Sequence, residues 1–80
     1  MRLKPLTTEK AVMMIERENV LTFETSREVK KDEIRKNVEE LFDVKVMGVR
    51  TLVRSGRKYS YVKLKKEFPA IDVATKLGLI

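Results

Sequence analysis

Eighty residues and 9.3 kDa leave room for a single domain, 1–80, and a chain this short buries only about 60–65% of the surface it exposes when unfolded. With no cysteine and no histidine, it forms no disulfide and lacks the usual zinc ligand sets. Eighteen Lys and Arg against twelve Asp and Glu give a net +6 and a pI near 9.8, which calls for a partner carrying negative charge.

Met1-Arg2-Leu3-Lys4-Pro5 has no apolar run behind it, so no secretory signal is expected. The longest wholly apolar stretch, Ala11 to Ile15, is far too short to span a bilayer. A cytoplasmic chain that inserts into no membrane is the expectation. A first helix is predicted after Pro5, with Thr7 or Thr8 as N-cap and Arg17 near its end. Glu9 falls in the first turn, where a carboxylate complements the helix dipole. Val12, Ile15 and one of Met13 and Met14 would face the core, the methionines filling irregular space. Asn19 breaks the helix, and Val20-Leu21-Thr22-Phe23-Glu24-Thr25 reads as a strand, Leu21 and Phe23 inward, Thr22 and Glu24 outward.

Ile34, Val38, Leu41 and Phe42 fall at i, i+4, i+7 and i+8, one apolar stripe of a second helix. Val29, ahead of an N-cap at Lys30, is placed to pack on Ile34 as a hydrophobic staple. Asp32–Lys36, Arg35–Glu39 and Lys36–Glu40 form the exposed face, each pair worth about 0.2–0.5 kcal/mol and marking no site. A hairpin follows: Val44 to Arg54, a turn at Ser55-Gly56, and a return over Lys58 to Lys66. Ser60, Val62 and Leu64 share one face of the return strand, and Tyr59, Tyr61, Lys63 and Lys65 the other. A bulge at Gly48 would turn Val49, Thr51 and Val53 inward and leave Arg50 and Arg54 on the cationic side. A last helix is predicted from about Pro69 to Leu77, with Gly78 as its stop. The order helix, strand, helix, strand, strand, helix predicts an α+β fold, a small antiparallel sheet of three or four strands packed with helices.

The charge excess is local. Residues 1–43 and 67–80 each carry a net −1, whereas 44–66 hold Lys45, Arg50, Arg54, Arg57, Lys58, Lys63, Lys65 and Lys66 with no acid among them. A solubilising surface mixes signs because like charges repel, so a one-signed segment points to a polyanion that neutralises it. Catalysis has no comparable carrier. The chain lacks His and Cys for the common nucleophile–base pairs, and Glu39 and Glu40, adjacent on a helix, point about 100° apart. Gly48, Gly56 and Gly78 are too far apart for a phosphate-cradling loop, and the carboxylates do not cluster at calcium spacing. No enzyme activity, catalytic residue, metal or other cofactor is expected.

Lys and Arg at strand spacing suit the phosphates of folded RNA. Tyr59 and Tyr61, interleaved with them, either stack on exposed bases or form ordinary sheet surface beneath a helix. Arg54, Arg57 and Lys58 at the turn have no competing core role and are the strongest RNA contacts by pattern; Lys4, Arg50, Lys63 and Lys65 join them. Arg57-Lys58-Tyr59-Ser60-Tyr61-Val62-Lys63-Leu64 resembles the longer ribonucleoprotein motif of RNA-recognition-motif domains, with Lys58 replacing the glycine and Leu64 the last aromatic. Against that match, Phe23 has core parity, and that fold opens on a strand. A free single-stranded-RNA binder of this type is the alternative reading, and a protein adaptor using the second helix or the sheet edge is a third.

Taken together, the segments resemble the large-subunit ribosomal protein twenty-three family more closely. Thr8-Glu9-Lys10-Ala11 is similar to that family's Thr/Ser-Glu-Lys signature. Lys31-Asp32-Glu33-Ile34 and Val38-Glu39-Glu40-Leu41-Phe42-Asp43-Val44-Lys45-Val46 resemble its central helix entering the next strand. Val49-Arg50-Thr51 stands where the family usually has Val-Asn-Thr. Lys58-Tyr59-Ser60-Tyr61-Val62-Lys63-Leu64 is similar to its Lys-Lys-Ala-Tyr-Val-x-Leu strand, and Asp72-Val73-Ala74-Thr75-Lys76-Leu77-Gly78 to the closing helix of archaeal members. The short Arg54-to-Lys58 connection and a start close to the signature fit the archaeal type.

The resemblance implies a primary rRNA-binding protein of the cytoplasmic ribosome, beside the polypeptide exit. There it would touch a neighbouring large-subunit protein and help form a docking platform for signal recognition particle and translocon. Thr8 and Lys10 match signature positions near rRNA, Thr51 the Thr of Val-Asn-Thr, and Lys58 and Tyr61 the last strand. Glu9 matches the glutamate used for factor docking in bacterial relatives. Arg50 departs from asparagine, replacing an amide suited to a base edge with a cation suited to phosphate. Lys30 departs from the usual small polar N-cap, at a cost of about 1 kcal/mol.

Overall fold

A strand of two residues, Lys4–Pro5 (β1), comes first. The computed structural model describes residues 3–79; Met1 and Arg2 of the opening segment, with Ile80, lie outside the described residues. Helix α1 (Glu9–Glu18) is capped by Thr8, whose Oγ1 accepts the Ala11 N–H at 3.2 Å. It ends at Asn19, in the left-handed region at φ 58°, a conformation that asparagine tolerates better than most residues. Strand β2 (Val20–Thr25), helix α2 (Lys31–Phe42), strands β3 (Val46–Arg54) and β4 (Arg57–Leu64), and helix α3 (Ala70–Lys76) follow. The sheet is antiparallel with order β1-β2-β4-β3. The chain is therefore α+β as expected, but it opens on a strand rather than a helix. β1 escapes the sequence because two residues show no alternation; Pro5, without an N–H, suits the sheet edge.

Local rules explain the hairpin. Ser55 (φ 53°) and Gly56 (φ 76°) both take positive φ, as a two-residue type I′ turn requires. Val46 pairs with Leu64 and Gly48 with Lys63, so Met47 is the extra residue of a bulge. Beyond it Val49, Thr51 and Val53 face the same side as Val62, Ser60 and Lys58.

One sheet face carries the core. Leu21 and Phe23 of β2, Val46 of β3, and Val62 and Leu64 of β4 pack with Ile15, with Ile34 and Val38 of α2, and with Ala70, Val73 and Ala74 of α3. Each such Leu, Ile or Phe, fully buried, contributes about 1.5–3 kcal/mol. Val29 and Ile34 are both buried, as the staple at the start of α2 requires. Leu41, expected in the same stripe, is instead 64% exposed. Phe42 turns inward in that last turn and stacks on Phe23, ring centroids 6.4 Å apart, which leaves Leu41 outside. Val53 has the inward parity but is 54% exposed, because burial falls along β3 and the hairpin tip runs past the helices.

The α2 charges do not pair along the helix as the spacing implied. Arg35 Nη2 donates to the Met47 carbonyl at 3.4 Å, and Glu39 Oε2 accepts the Val46 N–H at 3.0 Å, so both secure the entry to β3. Helix α1 lies against the other sheet face. Thr8, Lys10, Ala11 and Met14 surround a cavity of about 60 Å³ together with Leu6, Thr22 and Tyr61. Met14 is accordingly the buried methionine and Met13 the exposed one, while Ala11 is buried in place of Val12, which is only half-buried. Thr22, expected outward, does point to that face but is buried beneath α1.

Candidate nucleic-acid interface

Direct cross-strand partners share a face, so the register assigns the cations. Arg54 lies opposite Arg57; Leu52 opposite Tyr59, which faces Glu24 and, beyond it, Lys4; Arg50 opposite Tyr61; Gly48 opposite Lys63. Lys4, Arg50, Arg54, Arg57 and Lys63 thus stand on one face, with Glu24 the single carboxylate that the strands add there. Glu24 meets Arg57 at 3.7 Å, the one salt bridge among the described residues. The Arg57 side chain is well exposed, so the contact is a weak tether.

The tyrosines sit within this field. Tyr61 is half-buried, flanked by α1 on one side and by the Arg50 guanidinium, 6.0 Å from its ring centroid. That distance is within cation–π range. Tyr59 is half-buried between Leu52 and Glu24 in the register. A groove of about 730 Å³ runs between α1 and β3–β4, with Glu9, Lys10, Met13 and Arg17 on one wall and Arg50, Leu52 and Tyr61 on the other. Nothing in the sequence announces it, because it exists only once α1 is laid over the sheet.

Other predicted positions are dispersed. Lys58 lies on the helix-covered face, opposite Thr25 and Val53, and its ammonium donates to the Val29 carbonyl. The expectation that it has no competing role is therefore corrected: Lys58 ties the hairpin to the segment leading into α2. Thr51 shares that face and is half-buried, though it also borders the groove. Thr8 is engaged as the N-cap, with its hydroxyl proton still free to donate. Lys65 follows the end of β4, where its N–H meets the Lys45 carbonyl, so Lys45, Lys65 and Lys66 lie at the end of the sheet away from the turn. The eight cations of 44–66 are not one ribbon but a face, a tip and a tail.

Asn19, read from the sequence only as the break after the first helix, carries a side-chain network that sequence reasoning missed. Its side-chain NH2 reaches the carbonyls of Leu64, Lys65 and Phe68, one of its two N–H groups shared between two of them, and its Oδ1 accepts the Ala70 N–H. One side chain thereby joins the end of α1, the end of β4 and the start of α3. No metal-binding cluster of acidic residues occurs among the described residues, and no described helix is long and apolar enough to cross a membrane.

The family model for Ribosomal protein L23 matches residues 1–72. The chain belongs to the Ribosomal protein L23 family. It is a large-subunit ribosomal protein, of a family that is structural rather than enzymatic, and it associates with the large subunit and its rRNA. The match runs through α1, both hairpin strands and the basic face, and ends early in α3 at Asp72.

Proposed function

We propose that the chain holds folded large-subunit rRNA on its open sheet face, beside the polypeptide exit, and adds to the surface on which nascent-chain factors dock. One observation carries this reading: Lys4, Arg50, Arg54, Arg57 and Lys63 converge on one face against a single strand carboxylate, in a member of a ribosomal family. Folded RNA is gripped chiefly through its phosphates, and such a face neutralises several of them at once. Lys10, Thr8, Thr51 and Lys65 extend the contact at its margins. Lys58 spends one of its three donors on Val29 and keeps two for phosphate. Tyr59 and Tyr61 add stacking surface within the basic field.

Glu9, in the first turn of α1 and exposed, is the docking residue for factors such as signal recognition particle and translocon. A neighbouring large-subunit protein at the exit completes that platform, in the cytoplasm and with the short hairpin of the archaeal type. The test is co-sedimentation with large subunits at physiological ionic strength. Retention supports the reading; loss of the whole population to the supernatant contradicts it. Glu9→Ala should leave rRNA binding unchanged and weaken factor docking, and loss of rRNA binding would show that Glu9 has another role. If Tyr59→Ala and Tyr61→Ala abolished tight binding to short single strands, the recognition-motif alternative would stand instead. Phe23, buried in the core, speaks against it, although the chain does open on a strand.

A further inference from the structure

The groove between α1 and β3–β4 shares Lys10, Arg50 and Thr51 with the phosphate-binding surface, and its apolar lining adds the chemistry of a nucleotide seat. We propose that it receives one unpaired, unstacked base of the rRNA, an inference that rests on the rRNA-binding reading. Its apolar lining is Met13, Met14, Leu52 and Tyr61, of which Met13 and Leu52 are 43% and 39% exposed and so open to a ligand. A flat base buries that lining, and a thioether and a phenol ring are both good stacking partners for it. Arg50 lies over Tyr61 and Arg17 lines the opposite wall, so cations stand where the phosphates flanking an extruded nucleotide run. Glu18, on the α1 wall, offers an acceptor for an exocyclic amine, which favours cytosine, adenine or guanine over uracil. The volume, about 730 Å³, is in the usual range for a small-molecule site. Charge decides for RNA over an apolar peptide: the groove opens onto the basic face, where Arg54, Arg57 and Lys63 continue the field.

The first test places a photo-crosslinking amino acid at position 13 of the full-length chain in assembled large subunits. A crosslink to one rRNA base supports the seat; crosslinks to protein, or to none of the rRNA, overturn it. The second measures affinity of the full chain for full-length large-subunit rRNA. Met13→Ala and Leu52→Ala should each weaken binding at least about 5-fold, the low end of what one stacked base on an aromatic ring is worth, with the salt dependence unchanged because no phosphate contact is removed. Both positions are half open to solvent, and thermal melts of the two variants check that the fold persists. Unchanged affinity in both variants overturns the base seat while leaving phosphate-driven rRNA binding standing. Failure of the wild-type chain to bind folded rRNA overturns both.

Discussion

Asn19 satisfies two demands that few residues meet together: a left-handed backbone and side-chain hydrogen bonds to segments 45 to 51 residues away. Asn19→Gly keeps the first and loses the second, whereas Asn19→Ala loses both. The alanine variant is expected to cost about 2–4 kcal/mol, from αL strain of roughly 1–2 kcal/mol and the lost bonds. For a domain of this size that lowers Tm by about 10–25 °C, and Asn19→Gly should fall between it and the wild type in a calorimetric melt. Thr22 presents the reverse case. Its hydroxyl is buried beneath α1, with the residue 6% exposed, and has no hydrogen-bond partner. Thr22→Val keeps the shape and β-propensity and removes the orphan group, so it should raise stability by about 1 kcal/mol in urea unfolding. A loss of stability would mean that the hydroxyl does find a partner in solution.

Elements governed by neighbouring residues were legible in the sequence. The Thr8 cap, the Val29–Ile34 staple, the hairpin turn and the bulge before Gly48 each depend on a few consecutive positions. The failures have longer range. Leu41 and Phe42 compete for one space, and only the Phe23 ring across the sheet decides between them. Alternation assigned Thr22 and Tyr61 to a common face, but could not say that α1 returns to cover it. The turn itself is open to improvement. Asn-Gly is the favoured pair for two positive φ angles, so Ser55→Asn should raise stability in urea unfolding. Since the substitution adds no charge, rRNA affinity should not move; a change in affinity would place the turn residue itself against the RNA.

At the scale of the whole molecule, the three-layer arrangement explains how so short a chain offers a broad basic surface. Helices α2 and α3 cover the core face, and α1 covers the β2 side of the other, which leaves β3 and β4 open. The cations of that site were legible as a compositional excess, because charge sign needs no structure to read. Their division was not. Lys58 turns to Val29, Lys45 and Lys65 meet at the far end, and Arg50, Arg54, Arg57 and Lys63 share the open face, all through strand register that no single segment contains. A face that neutralises about five phosphates implies a slope on the order of −4 for log affinity against log salt. The direct measurement is the affinity of the full-length chain for folded large-subunit rRNA across a salt series. A slope near −4 that becomes shallower in Arg50→Ala, Arg54→Ala and Arg57→Ala is the predicted result; a near-flat slope, or one that these substitutions leave untouched, would contradict the assignment of the open face to rRNA.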